Sequence, residues 1–182
     1  MQLISKINCD ESPREIIAAD FKLQLPICGG WGYSQADACI IDKNDPIADP
    51  SHLFNGVKVE YIFVEKRIYE EMIIFRPDGE KFSGIEWSLL RQYALQAGGK
   101  AFDKLIFEIT AFSDDDWIEL KADFEGVDCN GYPNFDAAAH EKKRQNKMLR
   151  FTGEFWFDIT TFYGQGLIIN DKSTAEEDFG IP

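Results

Sequence analysis

The chain has 182 residues, 45% of them hydrophobic and 14% aromatic, enough apolar surface for one full core and too much for a disordered segment. Its 32 acids against 19 bases leave a formal charge of −13, which repels nucleic-acid phosphates and anionic lipid and draws in basic surfaces. The opening Met1-Gln2-Leu3-Ile4-Ser5-Lys6 has no apolar signal core, and no run reaches the length of a membrane span.

These features predict one cytoplasmic domain over residues 1–182, with no nucleic-acid or membrane partner. Cys9, Cys28, Cys39 and Cys129 contain no CxxC pair, so neither a disulfide framework nor a zinc site is indicated.

Ser12-Pro13-Arg14-Glu15 combines an N-cap hydroxyl, a proline at the first helical position and a capping-box Glu, which predicts a helix to about Asp20. Residues 21–25 alternate like a strand and stop at Pro26. Cys28-Gly29-Gly30-Trp31-Gly32-Tyr33 is a glycine-rich loop with two aromatics, residues 38–41 read as a short strand, and residues 42–55 read as loop. Residues 57–75 are dense in β-branched and aromatic side chains and predict two strands bent near Glu65-Lys66-Arg67. Arg76-Pro77-Asp78-Gly79 reads as a turn.

Ser83-Gly84-Ile85-Glu86 has the form of a second capping box. Trp87, Leu90, Ala94 and Ala97 follow at helical spacing until Gly98-Gly99, which predicts a helix over 86–97. Residues 104–124 then read as a β-hairpin. Leu105, Phe107, Ile109 and Ala111 alternate on its first arm, Ser113-Asp114-Asp115-Asp116 forms the turn, and Ile118, Leu120, Ala122 and Phe124 alternate on its second. A loop over 126–133, a solvated helix over 135–149, a strand over 153–161 and a partly extended tail over 164–182 complete the chain. The expected fold is α+β, an antiparallel sheet of six or seven strands with two or three helices packed on it.

Catalytic patterns fail on context. Cys28-Gly29-Gly30-Trp31 is similar to the segment around a papain-type nucleophile, but this Cys follows Pro26 in a loop instead of opening a long helix that would lower its pKa. Gly30-Trp31-Gly32 lacks the third glycine of a dinucleotide loop, with Gln35 in that place. Asp42-Lys43-Asn44-Asp45 starts like a calcium loop, but Ile47 stands at the glycine position and Leu53 at the bidentate-Glu position. Three adjacent aspartates on a strand turn diverge, and two histidines are too few for a transition-metal site, so no metal or cofactor is expected.

A binding surface remains. Residues 104–128 hold eight acids (Glu108, Asp114, Asp115, Asp116, Glu119, Asp123, Glu125, Asp128) against Lys104 and Lys121, a net −6. Trp117 lies among them, an aromatic anchor ringed by one sign of charge. The predicted partner-binding residues are Asp114, Asp115, Asp116, Trp117, Glu119 and Asp123. The alternative is a small-molecule pocket built on Cys28, Trp31 and Tyr33.

The order of these elements, from the Arg76-Pro77-Asp78-Gly79 turn through the 86–97 helix to the strand Trp-Ile-Glu-Leu-Lys-Ala-Asp-Phe, resembles the core of small bacterial immunity proteins of polymorphic toxin systems over about residues 57–128. That resemblance implies an acidic, cytoplasmic, non-enzymatic antidote that binds and blocks a basic, toxin-like protein.

Overall fold

A computed structural model describes residues 6–48, 51–124 and 135–164. The expected 126–133 loop, nearly all of the 164–182 tail and Cys129 lie outside that range. In chain order the elements are α1 (Pro13–Phe21), β1 (Ile27–Gly29), β2 (Cys39–Ile41), α2 (Gly56–Tyr69), β3 (Phe82–Ala97), β4 (Lys100–Ser113), α3 (Asp114–Ala122), α4 (Ala137–Lys147) and β5 (Leu149–Asp158). The fold is α+β, with an open five-stranded sheet in the order β1-β2-β5-β4-β3. The sheet is mixed instead of wholly antiparallel, because β2 runs parallel to β5 while every other pair is antiparallel.

Local chemistry sets α1. Ser12 accepts from the Glu15 backbone N–H (3.3 Å), and Glu15 accepts from the Ser12 N–H (3.1 Å), a closed capping box. Lys22 ends the helix in the left-handed region at φ 54°, so residues 21–25 do not form the expected strand. The first strand begins at Ile27, after Pro26.

Residues 57–75 form a helix, not a bent pair of strands. Asn55 caps α2 by accepting from the Lys58 N–H (3.0 Å). The buried positions Glu60, Phe63, Val64, Arg67 and Ile68 repeat at i, i+3, i+4, i+7 and i+8, a helical stripe whose period is hidden because two of its members are charged. After Tyr69 the helix widens into a π-turn, Glu70–Ile74, closed by the Phe75 N–H on the Glu70 carbonyl (2.9 Å). The turn sends Glu70, Glu71 and Met72 inward together.

The core lies between α1 and α2 and one face of the sheet, where Ile17, Phe63, Val64 and Ile68 meet Leu105, Phe107, Ile109, Phe155 and Phe157. The four inward side chains of the first predicted arm, Leu105 to Ala111, are all buried. Arg67 joins three elements at the centre. Its Nε donates to Glu71 (2.9 Å), and its Nη1 donates to the carbonyls of Trp31 (3.0 Å), Gly32 (3.3 Å) and Glu154 (3.0 Å). The guanidinium also stacks between the rings of Tyr33 (3.9 Å) and Phe155 (4.3 Å). Gly32, at φ 76°, lets the loop run this close to β5, since a Cβ there would meet the Trp156 carbonyl at 2.8 Å.

The expected helix over 86–97 is instead the outer strand of a long hairpin. Gly98 and Gly99 have φ of 58° and 77°, the signature of a two-residue hairpin turn. From there β3 pairs with β4 along almost its whole length. Helical spacing misled because most of β3 is exposed and lacks a clean alternation; its partner strand, not its own pattern, holds it extended. The second arm of the expected 104–124 hairpin is α3, which covers the opposite sheet face at one end. Trp117 stacks on Phe112 (5.4 Å, 30°) and over Gly84, where a Cβ would meet the ring at 2.6 Å.

Arg67→Ala is expected to destabilise the domain by roughly 3–5 kcal/mol, because it strands the buried Glu71 carboxylate. Combining Arg67→Met with Glu71→Leu should recover part of that loss. Urea unfolding followed by tryptophan fluorescence measures both, and a single-variant loss below about 1 kcal/mol would deny the clamp its central place.

Candidate functional site

The charged groups of α3 pair with those of α4. Asp114, Asp115 and Asp116 open α3, where a helix dipole favours acids. Ser113 caps it, accepting from the Asp116 N–H (3.2 Å) and donating to the Asp116 carboxylate (2.8 Å). A helix turn spaces Asp116, Glu119 and Asp123 at i, i+3 and i+7 on one face. On α4, His140, Lys143 and Lys147 have the same spacing.

The two stripes meet in opposite directions. Lys147 Nζ lies 2.6 Å from Asp116 and 2.5 Å from Glu119, Lys143 lies 3.1 Å from Glu119 and 2.9 Å from Asp123, and His140 Nδ1 lies 2.8 Å from Asp123. Hydrogen bonds from Lys147 and then Ser113 hold the Asp116 carboxyl below its ordinary pKa. Lys147 and then Lys143 do the same for Glu119, and Lys143 and then His140 for Asp123. Asp114 accepts from the Ser83 hydroxyl (2.7 Å), tying α3 to β3.

The predicted binding residues therefore share one helix and its C-cap but divide into two groups. Asp116, Glu119 and Asp123 face α4. Trp117 is not an exposed anchor among carboxylates, because its ring is half-buried against Phe112. The outward side of α3 carries Asp115, Ile118, Glu119 and Ala122, and Ile118, which a strand reading placed in the core, is 61% exposed. Beside this side, Trp117, Leu120, Phe124, His140 and Arg144 line an open cleft of about 350 Å³. The sequence signals for this arrangement are the Ser113-x-x-Asp116 start and the matched i, i+3, i+7 stripes.

The glycine-rich loop does not gather its three candidates. Trp31 is 6% exposed and packs on Phe63 (6.0 Å). The Tyr33 hydroxyl accepts the Ile7 N–H (2.8 Å) and lies beside Glu71, and burial first, then that carboxylate, pushes its pKa far up. Cys28 lies on the exposed side of β1, its thiol pushed up by burial and then by Asp42 and Asp45, the reverse of what a nucleophilic cysteine needs. Asp42 and Asp45 act in turn chemistry, Asp42 accepting from the Asn44 N–H (2.9 Å) and Asp45 from Arg14 (2.6 Å) and the Ile47 N–H (2.9 Å).

Sequence reading did not find the acids buried under the sheet. Glu60 is 1% exposed and lies near Asp103 on β4, whose carboxylate accepts from Gln92 (2.5 Å). Burial, then the Asp103 charge, pushes Glu60 up to about 8. Glu70 is pushed to about 7 by burial and then by Asp20. Among the described residues no three His, Cys, Asp or Glu side chains form a metal site, and no helix is long and apolar enough to cross a membrane. Comparison with protein families, curated proteins and solved structures found no match.

A carboxyl whose pKa is higher folded than unfolded binds more protons in the native state, so its contribution is fully present below the unfolded value and is lost as pH rises through the folded one. Glu60→Gln should remove a decline in wild-type stability between about pH 5 and pH 8 that amounts to a few kcal/mol. Urea midpoints of the two proteins across that range measure it. Parallel curves would show that Glu60 ionises normally.

Proposed function

We propose that the protein is a non-enzymatic binding protein for a basic protein partner, acting in the manner of immunity proteins, with the outward side of α3 as its contact surface. The element order that carried the resemblance differs in the fold, since residues 57–75 are helical and 86–97 extended. The reading therefore rests on charge and surface chemistry. The observation that carries it is Ile118, 61% exposed on a helix whose neighbouring positions hold Asp114, Asp115 and Glu119. An apolar anchor with a carboxylate rim suits a basic surface, the anchor giving affinity and the rim association rate.

The molecule contains an internal instance of that recognition. Lys143 and Lys147 each reach two carboxylates of α3, so the acids of this helix hold lysines presented from a helix. Asp115, exposed on the outward side of the helix, extends the same chemistry away from α4. A basic partner docking there makes contacts of the kind α4 makes within the chain.

Asp115→Lys should slow association and flatten its salt dependence, while Ile118→Asp should accelerate dissociation, each with the urea midpoint unchanged. Affinity capture from the native cytosol with wild-type and variant baits, followed by binding kinetics on a protein retained only by the wild type, measures both. Equal retention of every basic protein by all three baits removes α3 as the contact surface.

A further inference from the structure

The edge of the sheet at β3 is built unlike a protected edge. β3 is the last strand in the sheet order, and residues 88–97 are all exposed, including Leu90 at 52%, Tyr93 at 40% and Leu95 at 38%. From Trp87 to Ala97 there is no proline and no acid, and Arg91 is the single charge. Edge strands are ordinarily blunted by charge, proline, bulges or brevity. The one irregularity in this stretch, between Leu89 and Arg91, leaves seven residues, 91–97, in unbroken register with β4.

The hairpin geometry says which groups face outward. Ala97 and Lys100 flank a two-residue turn, so they form a hydrogen-bonded pair, and the alternation of an antiparallel ladder leaves the backbone N–H and C=O of Gln92, Ala94 and Gln96 pointing away from β4. We propose that this edge pairs with β3 of a second copy of the chain, antiparallel about Ala94, joining two five-stranded sheets into one of ten strands.

The pairing is self-complementary. Ala94 faces its own counterpart, Gln92 faces Gln96, and Arg91 faces Ala97. Tyr93 meets Leu95 twice across the dyad, on the sheet face that both side chains share. It is the register that favours a second copy, and charge does not oppose that copy at the seam itself. A chain of −13 repels itself across most of its surface, and this edge is acid-free. In this register the two Arg91 side chains lie about 20 Å apart, well beyond the roughly 8 Å screening length at physiological salt. The seam is also remote from α3, which contacts β3 at its other end near Gly84, so both copies keep the surface assigned to the partner.

Sedimentation velocity of the full chain across the micromolar to millimolar range tests the pairing. The chain should dimerise reversibly, more tightly as added salt screens the net charge. Ala94→Lys sets like charges directly opposite, and Ala94→Pro removes an outward N–H that the hairpin does not use. Each should raise the dimer dissociation constant at least about tenfold with circular dichroism and urea midpoint unchanged.

Ala94→Cys should yield a disulfide-linked dimer on mild oxidation, above the background of the unsubstituted chain, because directly opposed residues in a hydrogen-bonded pair lie about 5.5 Å apart. Gln92→Cys should not, since its symmetry mate is about 14 Å away. A chain that stays monomeric throughout, or cross-links equally from both positions, overturns the proposal and leaves the edge to a foreign strand.

Discussion

The buried guanidinium of Arg67 organises the half of the molecule that sequence patterns describe least well. One charged group in an apolar interior is tolerable only when its donors are satisfied, and here they reach a carboxylate and three backbone carbonyls from two distant segments. That requirement explains the features around it. The glycine-rich loop presents its carbonyls, Tyr33 and Phe155 close over the two faces of the guanidinium, and the π-turn of α2 brings Glu71 inward. A loop that reads as a possible nucleophile or phosphate cradle is the wall of an arginine socket.

On the opposite face of the sheet, charge operates differently. Asp116, Glu119 and Asp123 are paired with His140, Lys143 and Lys147 of α4, a zipper of matched i, i+3, i+7 stripes. Exposed ion pairs of this kind contribute little individually to stability. Their effect is orientation: they set α4 against α3 and turn Ile118, Asp115 and Ala122 outward. A partner of the proposed kind meets a surface whose charge has already been sorted into an inner set, used within the fold, and an outer set.

Legibility in the sequence followed the range of the determining interactions. The capping box of α1, the β2 strand, residues 153–158 of β5, the body of α4 and the inward set Leu105, Phe107, Ile109 and Ala111 were readable because each is set by neighbours in the chain. β5 itself starts at Leu149 and ends at Asp158, short of the expected 161. α2 was not, because Glu60 and Arg67 occupy its core-facing stripe and erase the apolar period. α3 was misread because Ile118, Leu120, Ala122 and Phe124 alternate by coincidence, although Ser113 and the aspartates after it are a helix start. The acidic candidate residues lie together on α3 and its C-cap, but their division between α4 and solvent depends on a helix that follows later in the chain.

The amino-acid order by itself determined the α+β class, the sign of the surface, the cap of α1, the turn after Arg76, and a core strand buried on alternate residues, because these depend on composition and on neighbours a few positions apart. Only the tertiary structure decided that residues 86–97 are an edge strand instead of a helix, that Arg67 and Glu60 lie inside, and that Trp117 covers Phe112 while Ile118 faces water. Each of those outcomes depends on a partner distant in sequence. Backbone hydrogen bonds to β4, carbonyls from the 31–32 loop and the flat space over Gly84 outweigh the weak local preferences that a pattern can report.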